Sequence, residues 1–146
     1  MLNKSSAEKL RVGVDTSVYI AAILRPGLSE DVLRLIYRGY AELFCSDEIF
    51  HELTSRLADK PFNIDPDRAE LALKNIKIVA NFVRSEPVTE SQLRDPSDLH
   101  ILECAVAARA NLIVTLDKDL LTLKESHGIG IIHPRDFRWM ATEKMN

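Results

Sequence analysis

The chain has 146 residues, of which 46% are hydrophobic and 28% are charged, and its formal net charge at pH 7 is -3. These values exclude a disordered chain and fit a folded domain that is large enough to bury a sizeable core. They also exclude an overall basic field, so any binding of nucleic acid has to come from a local patch of cations. We predict one domain over residues 1–146.

Residues 1–9 are polar and lack the apolar segment of an export signal. We therefore predict a loose N-terminal tail over residues 1–9 and a cytoplasmic protein, because no window of the sequence is apolar enough to span a membrane. Cys45 and Cys104 stand apart in apolar segments, without the spacing of a metal motif. This favours two buried, reduced thiols.

Short apolar runs alternate with helical patterns along the chain. In the first half, the pattern predicts a strand at 10–14, helices at 16–24 and 29–40, a strand at 43–45, a helix from 46 and a loop at 58–66. In the second half, it predicts a helix at 67–83, a loop at 87–94, a helix from 95, a strand at 112–114, a helix at 120–124 and a strand at 128–132. Periodicity alone does not separate a short strand near 82–84 from the end of the long helix.

Strands that alternate with helices are typical of a parallel sheet with helices on both faces. We therefore predict an α/β fold, a three-layer α/β/α sandwich around a central parallel sheet of four to five strands. The run Leu112-Ile113-Val114 is uncharged and partly β-branched, as in a strand that is covered on both sides. We also predict that the helix at 67–83 buries a broad apolar face that includes Leu71, Ile76 and Phe82.

Four acidic residues fall where such a fold gathers its functional groups. Asp15 and Asp117 directly follow predicted strands, Asp98 lies at the start of a helix, and Glu52 lies inside one. Functional side chains of open α/β sheets collect at the carboxyl ends of the strands, so these four are candidates for one site. Each also has a structural alternative: the aspartates suit helix N-termini, and Glu52 can pair with Arg56 one turn later.

Carboxylates that pack within about 4–6 Å of one another repel and raise each other's pKa unless a cation neutralises them. Oxygen ligands without cysteine or histidine select hard divalent cations, so the four acids predict a site for Mg²⁺ or Mn²⁺. Such a site suits phosphoryl chemistry, because the metal ion lowers the pKa of bound water and offsets charge on the phosphate oxygens.

Five segments of the sequence contain or adjoin the candidate acids and the final strand: Val12–Ser17 (VGVDTS), Ser46–Leu53 (SDEIFHEL), Asp95–Ala105, Val114–Leu120 (VTLDKDL) and Ile131–Phe137 (IIHPRDF). Taken in order, these segments resemble the motifs of the PIN-domain ribonuclease family. No single segment is specific, but their order and spacing together are a strong signal across residues 10–138. Three residues depart from those that are common in the family: Ser17, Ser97 and Leu116.

The resemblance implies a PIN-like fold and a metal-dependent endoribonuclease that hydrolyses phosphodiester bonds of single-stranded RNA. It gives the catalytic and metal-binding roles to four acids: Asp15, Glu52, Asp98 and Asp117. Additional metal ligands would be Asp95 and Asp119. The hydroxyls that would hydrogen-bond these carboxylates belong to Thr16, Ser17 and Thr115.

The nearest branch of the family implies the toxin of a type II toxin–antitoxin pair. An antitoxin protein would then be its partner, and a homodimer its assembly. The resemblance implies Mg²⁺ or Mn²⁺ as the cofactor and leaves open whether one ion or two are bound.

Several residues near the proposed site in sequence are candidates for contacts with RNA. Arg25, Arg94 and Lys118 could meet phosphates, although each is at least as well explained as a solvated surface charge. His100 follows Asp98 by two residues, so it is the histidine with a place near the site.

Two other classes of function stay open. One is a noncatalytic PIN-fold module that docks a partner protein. The other is a different Mg²⁺-dependent phosphoryl-transfer enzyme, such as one of the haloacid dehalogenase type. Ser17 argues against that enzyme, because it stands where the chemistry needs a second acid.

Overall fold

The structure, a computed structural model, describes residues 9–145, and within them the chain forms six β-strands and seven α-helices. The strands are β1 (Leu10–Val14), β2 (Ala41–Cys45), β3 (Asn81–Phe82), β4 (Leu112–Val114), β5 (Glu125–Ser126) and β6 (Ile129–Ile132). The helices are α1 (Thr16–Leu24), α2 (Leu28–Tyr37), α3 (Asp47–Leu57), α4 (Pro66–Val79), α5 (Pro96–Ala108), α6 (Lys118–Leu123) and α7 (Pro134–Met145). The predicted tail at 1–9 lies, except for its last residue, outside the described residues.

The strands form one sheet in the order β3-β2-β1-β4-β6-β5, with β1 and β4 at its centre. All neighbouring strands are parallel except β5 and β6. Helices cover both faces, which confirms the predicted three-layer α/β/α sandwich. The described sheet has six strands where the sequence predicted four to five, because strands of two residues carry little periodic signal.

Helix α5 packs over β1 at Gly13. A Cβ at Gly13 would stand 3.2 Å from Ile101 Cδ1, so the missing side chain lets the helix approach the strand closely. At the other end of the contact, the guanidinium of Arg11 donates to the carbonyl of Ala108 at 2.7 Å. The helix therefore runs antiparallel to the strand, and its first turn, which contains Asp98, lies at the carboxyl end of β1.

Three predicted helix boundaries were wrong. The N-cap of α2 is Gly27, and Ser29, where the sequence predicted the helix to start, lies inside the helix and is buried. The helix ends at Tyr37 because Gly39 adopts a φ of 99°, a conformation that favours glycine and stops a helix. Helix α6 begins two residues before its predicted start, because the side chain of Asp117 caps it.

The helix predicted at 67–83 was wrong in its length and in its buried face. Helix α4 ends at Val79, and Phe82 belongs to the edge strand β3. Ile76 is fully buried, but Leu71 is 59% exposed and Phe82 is 41% exposed. A helical period reports which residues share a face, but it does not report whether another element covers that face.

Two elements near the C-terminus, strand β5 and helix α7, were not predicted. Strands β5 and β6 form a hairpin whose turn has positive φ values at His127 (54°) and Gly128 (79°), so the strand predicted from residue 128 begins at Ile129. Helix α7 follows, and its Phe137 is fully buried with its ring edge-on to Tyr40 at 5.5 Å. The helix thereby closes the core beside α2.

Cys45 and Cys104 are buried and free, as predicted. Burial raises the pKa of each thiol to about 12, so neither is a reactive thiolate near neutral pH. Among the helices of residues 9–145, none combines the length and the apolar character needed to cross a membrane.

We expect Leu102→Ala to lower the free energy of unfolding by about 2–5 kcal/mol, because Leu102 is fully buried and its truncation leaves a cavity. Leu71→Ala removes the same atoms from a side chain that is 59% exposed, and its effect should stay within about 0.5 kcal/mol. Urea unfolding followed by circular dichroism measures both changes. Equal losses in the two variants would contradict the difference in burial between α5 and α4.

Candidate active site

A cleft of about 440 Å³ opens at the carboxyl ends of β1 and β4, where the first turns of α1 and α5 meet α3. Five carboxylates line it, all of them among the acids that the sequence singled out: Asp15, Glu52, Asp95, Asp98 and Asp117. Arg56 is the one cation among the lining residues, which all belong to the described part of the chain. The other lining residues are Thr16, Ser17, Ser97 and Leu116. The cleft is therefore strongly acidic.

Asp15 directly follows β1 and is buried, with 7% of its surface exposed. Its Oδ1 accepts the backbone N–H of Thr16 at 2.9 Å, which caps α1. Its Oδ2 accepts the hydroxyls of Ser17 and Thr115, both at 2.8 Å. Burial raises the pKa of Asp15 above its ordinary value, although the hydroxyls of Thr115 and Ser17 offset part of the rise. Three donors thus fix this carboxylate in place.

Asp98 lies in the first turn of α5 and is 4% exposed. Burial, followed by the charges of Asp117, Asp95, Asp15 and Asp119, raises the pKa of Asp98 to about 7. Without a nearby cation, this group therefore keeps its proton up to nearly neutral pH. A cation bound beside it would favour the ionised carboxylate instead.

Thr115 connects the ends of the two central strands. Its hydroxyl donates to Asp15 Oδ2 and accepts the backbone N–H of Asp117 at 2.9 Å. Ser17 adds a second link, because its hydroxyl donates to Asp15 while accepting the backbone N–H of Leu116 at 3.2 Å. These two hydroxyls set the distance between the two aspartates that follow β1 and β4.

Glu52 enters the cleft from α3 and is held from two sides. The Thr16 hydroxyl donates to its Oε2 at 3.0 Å, and Nδ1 of His100 lies 3.3 Å from its Oε1. Arg56, its partner in the structural alternative, instead directs Nη1 to the Thr16 hydroxyl at 3.3 Å. Sequence reasoning missed Arg56 as a residue of the cleft, although its place one helical turn after Glu52 was a usable signal.

The donor set of the cleft fits a hard divalent cation. Carboxylate oxygens of Asp98, Asp117 and Asp119 lie within 4.8 Å of one another, close enough to share one ion. All of these donors are oxygen atoms, which suits Mg²⁺ or Mn²⁺. Asp15 and Glu52 line the same cleft but fall outside this closely spaced group.

The remaining predicted residues have other positions. Asp95 caps α5, and its pKa is lowered because it accepts the backbone N–H and the hydroxyl of Ser97. Arg25 lines a separate hollow beside the cleft, whereas Arg94 and Lys118 line neither.

Comparisons with known proteins agree with this fold. The family model described as PIN domain matches residues 11–119. The structure is similar to VapBC2 from Rickettsia felis bound to a DNA fragment from its promoter, with a TM-score of 0.59 and 14% identity over 85% of this chain and 98% of that chain. It is also similar to the PIN domain endonuclease Utp24, with a TM-score of 0.51 and 19% identity over 84% of each chain. No curated protein matches this chain.

We expect Thr115→Val to weaken Mn²⁺ binding about 10–100-fold, because the substitution removes the hydroxyl that orients Asp15. Calorimetric titration of Mn²⁺ into metal-free protein measures the Kd. Thr122→Val is the matched control, because the Thr122 hydroxyl donates to the backbone carbonyl of Lys118 on an exposed helix. An unchanged Kd in Thr115→Val would contradict the orienting role, and an absence of Mn²⁺ binding in the wild type would contradict the metal site.

A second prediction concerns the pH dependence of stability in metal-free protein. Between its ordinary pKa of 3.8 and its folded pKa of about 7, Asp98 binds more protons in the folded state than in the unfolded state. The contribution of this group to the free energy of unfolding therefore falls as the pH rises through this window. Asp98→Asn cannot ionise and should be about 1–2 kcal/mol more stable than the wild type at about pH 8.

Thermal melts in EDTA across this pH range measure the difference between the two proteins. It should be nearly absent at about pH 3, where Asp98 is largely protonated in both the folded and the unfolded state. A stability difference that does not change with pH would contradict the raised pKa.

Proposed function

Because the chain belongs to the PIN domain family, we propose that it is a metal-dependent endoribonuclease that hydrolyses phosphodiester bonds of single-stranded RNA. The observation that carries the proposal is the burial of Asp98 among further carboxylates, which raises its pKa to about 7. Collecting so many acids costs stability, and strongly perturbed carboxylates in a cleft are typical of functional sites. The family match supports a nuclease site over a purely structural cluster.

In this proposal Asp15, Asp98 and Asp117 hold Mg²⁺ or Mn²⁺, directly or through water, with Asp95 and Asp119 as additional ligands. When bound, the ion lowers the pKa of a bound water and offsets charge on the phosphate oxygens. The hydroxyls of the cleft keep the carboxylates oriented toward the ion, a support that metal ligands normally need.

Glu52 orients the attacking water in the same proposal. The Thr16 hydroxyl holds its Oε2 and His100 faces its Oε1, so the carboxylate has a defined direction. The water oxygen bonds to phosphorus, and the bond between phosphorus and the leaving ribose oxygen breaks. The water loses a proton and the leaving oxygen gains one, so the reaction is a hydrolysis without any redox change.

We further propose that the chain is the toxin of a toxin–antitoxin pair and acts in the cytoplasm as a homodimer that an antitoxin protein inhibits. The similarity in fold to VapBC2, which was solved with a fragment of promoter DNA, supports this part of the proposal.

We expect the purified protein to cleave a mixed pool of single-stranded RNA with Mg²⁺ or Mn²⁺ and to stop cleaving when EDTA removes the metal ion. Asp98→Asn should lower the cleavage rate at least about 100-fold, because it removes a charged ligand and keeps the size of the side chain. Asp67→Asn is the matched control, because Asp67 is exposed in the first turn of α4 and does not line the cleft. Gel separation of end-labelled RNA measures the rates.

Equal cleavage by the wild type and Asp98→Asn would contradict the proposal, because the activity would then come from another protein in the preparation. A folded wild-type protein that binds neither Mn²⁺ nor RNA would also contradict it. That result would favour a noncatalytic module that docks a partner protein.

A further inference from the structure

A second hollow, of about 430 Å³, adjoins the acidic cleft. The two share three lining residues, Ser17, Arg56 and Leu116, so they lie side by side. The other residues that line the second hollow are Ile20, Ala21, Leu24, Arg25, Pro26, Gly27, Leu28, Ser29 and Phe62. We call this second region the apolar hollow.

The chemistry of the apolar hollow differs sharply from that of the cleft. Five carboxylates line the cleft, whereas no carboxylate of the described residues 9–145 lines the apolar hollow. Most of its lining is aliphatic or aromatic, and its charged groups are two arginines, Arg25 and Arg56. A ligand that fits both regions therefore needs an anionic group that meets cations and a flat apolar group beside it. A nucleotide within a strand has both.

The geometry of Arg56 and Phe62 identifies a surface for the flat group. The guanidinium carbon of Arg56 lies 5.9 Å from the centre of the Phe62 ring, and Nη1 of Arg56 donates to the Thr16 hydroxyl at 3.3 Å. Phe62 ends a 3₁₀ helix, Lys60–Phe62, and packs as a half-buried side chain against the core. Both planar groups thus line the apolar hollow, and Arg56 also lines the cleft, so a base in the hollow can stack on them.

We infer that the apolar hollow binds the nucleobase next to the phosphate that occupies the acidic cleft, with Phe62 as its stacking surface. Arg56 lies between base and phosphate, and Arg25 meets the next phosphate of the strand. This inference rests on the proposed ribonuclease function and adds a positioning residue, Phe62, that lies outside the acidic cleft. Because every base has an aromatic face, the hollow would accept different bases.

Fluorescence polarisation of a labelled single-stranded RNA oligonucleotide, about 10 nucleotides long, tests the inference. Binding is measured in the Asp98→Asn background, where cutting of the strand should be at least about 100-fold slower. Phe62→Ala and Phe62→Leu should each raise the Kd about tenfold, whereas Phe62→Tyr keeps the ring and should bind within about twofold of the parent. Phe82→Ala is the matched control, since Phe82 is 41% exposed on β3 and lines neither region.

An abasic RNA strand separates stacking from a structural effect. On that strand, Phe62→Leu and its parent should have equal affinities, because the group that stacks on the ring is missing. A loss of affinity that is the same on the normal and the abasic strand would overturn the inference. If Phe62→Leu binds normal RNA as tightly as its parent, the stacking inference is overturned while the proposed function stands. If none of the proteins binds RNA, the proposed function is overturned as well.

Discussion

The hydrogen bond from the Thr115 hydroxyl to Asp15 Oδ2 is the contact on which the cleft depends. Thr115 directly follows β4 and Asp15 directly follows β1, and these central strands pair in register, with Val14 opposite Val114. The same hydroxyl accepts the backbone N–H of Asp117, so one fully buried group sets the positions of two acids. Parallel pairing brings the strand ends to one edge, and Thr115 then holds together groups whose charges repel.

Capping and a functional role are compatible for three of the aspartates in the cleft. Asp15, Asp95 and Asp117 each accept a backbone N–H through Oδ1 at the start of a helix. Each carboxylate oxygen can accept two hydrogen bonds, so a cap leaves acceptor capacity for a second partner. In Asp15 that capacity remains on Oδ1, because Oδ2 already accepts two hydroxyls. Asp98 is different, because it lies inside the first turn of α5 and is not its cap. Capping therefore does not account for its burial, and a bound cation would.

The acids could be predicted because strand ends and helix starts are well marked in the sequence. Strands β1 and β4 were predicted at their observed bounds, and Asp15 and Asp117 follow them directly. Phe62 could not be predicted as part of a site, because it lies in a 3₁₀ helix within a polar, proline-containing segment where no period applies. Its meeting with Arg56 depends on how that segment folds back onto α3, which local sequence does not encode.

Arg56 joins two regions of opposite chemical character. On one side it donates a hydrogen bond to the Thr16 hydroxyl, which in turn donates to Glu52. On the other side its guanidinium faces the Phe62 ring. A lysine would not replace it, because an ammonium group has no planar face and cannot stack while it donates a hydrogen bond. The chain carries a formal net charge of -3, so its overall field repels a polyanion. In the proposed function, a metal ion in the cleft and Arg56 at its border supply the positive charge locally, where a phosphate would bind, while the adjoining apolar surface takes up the base.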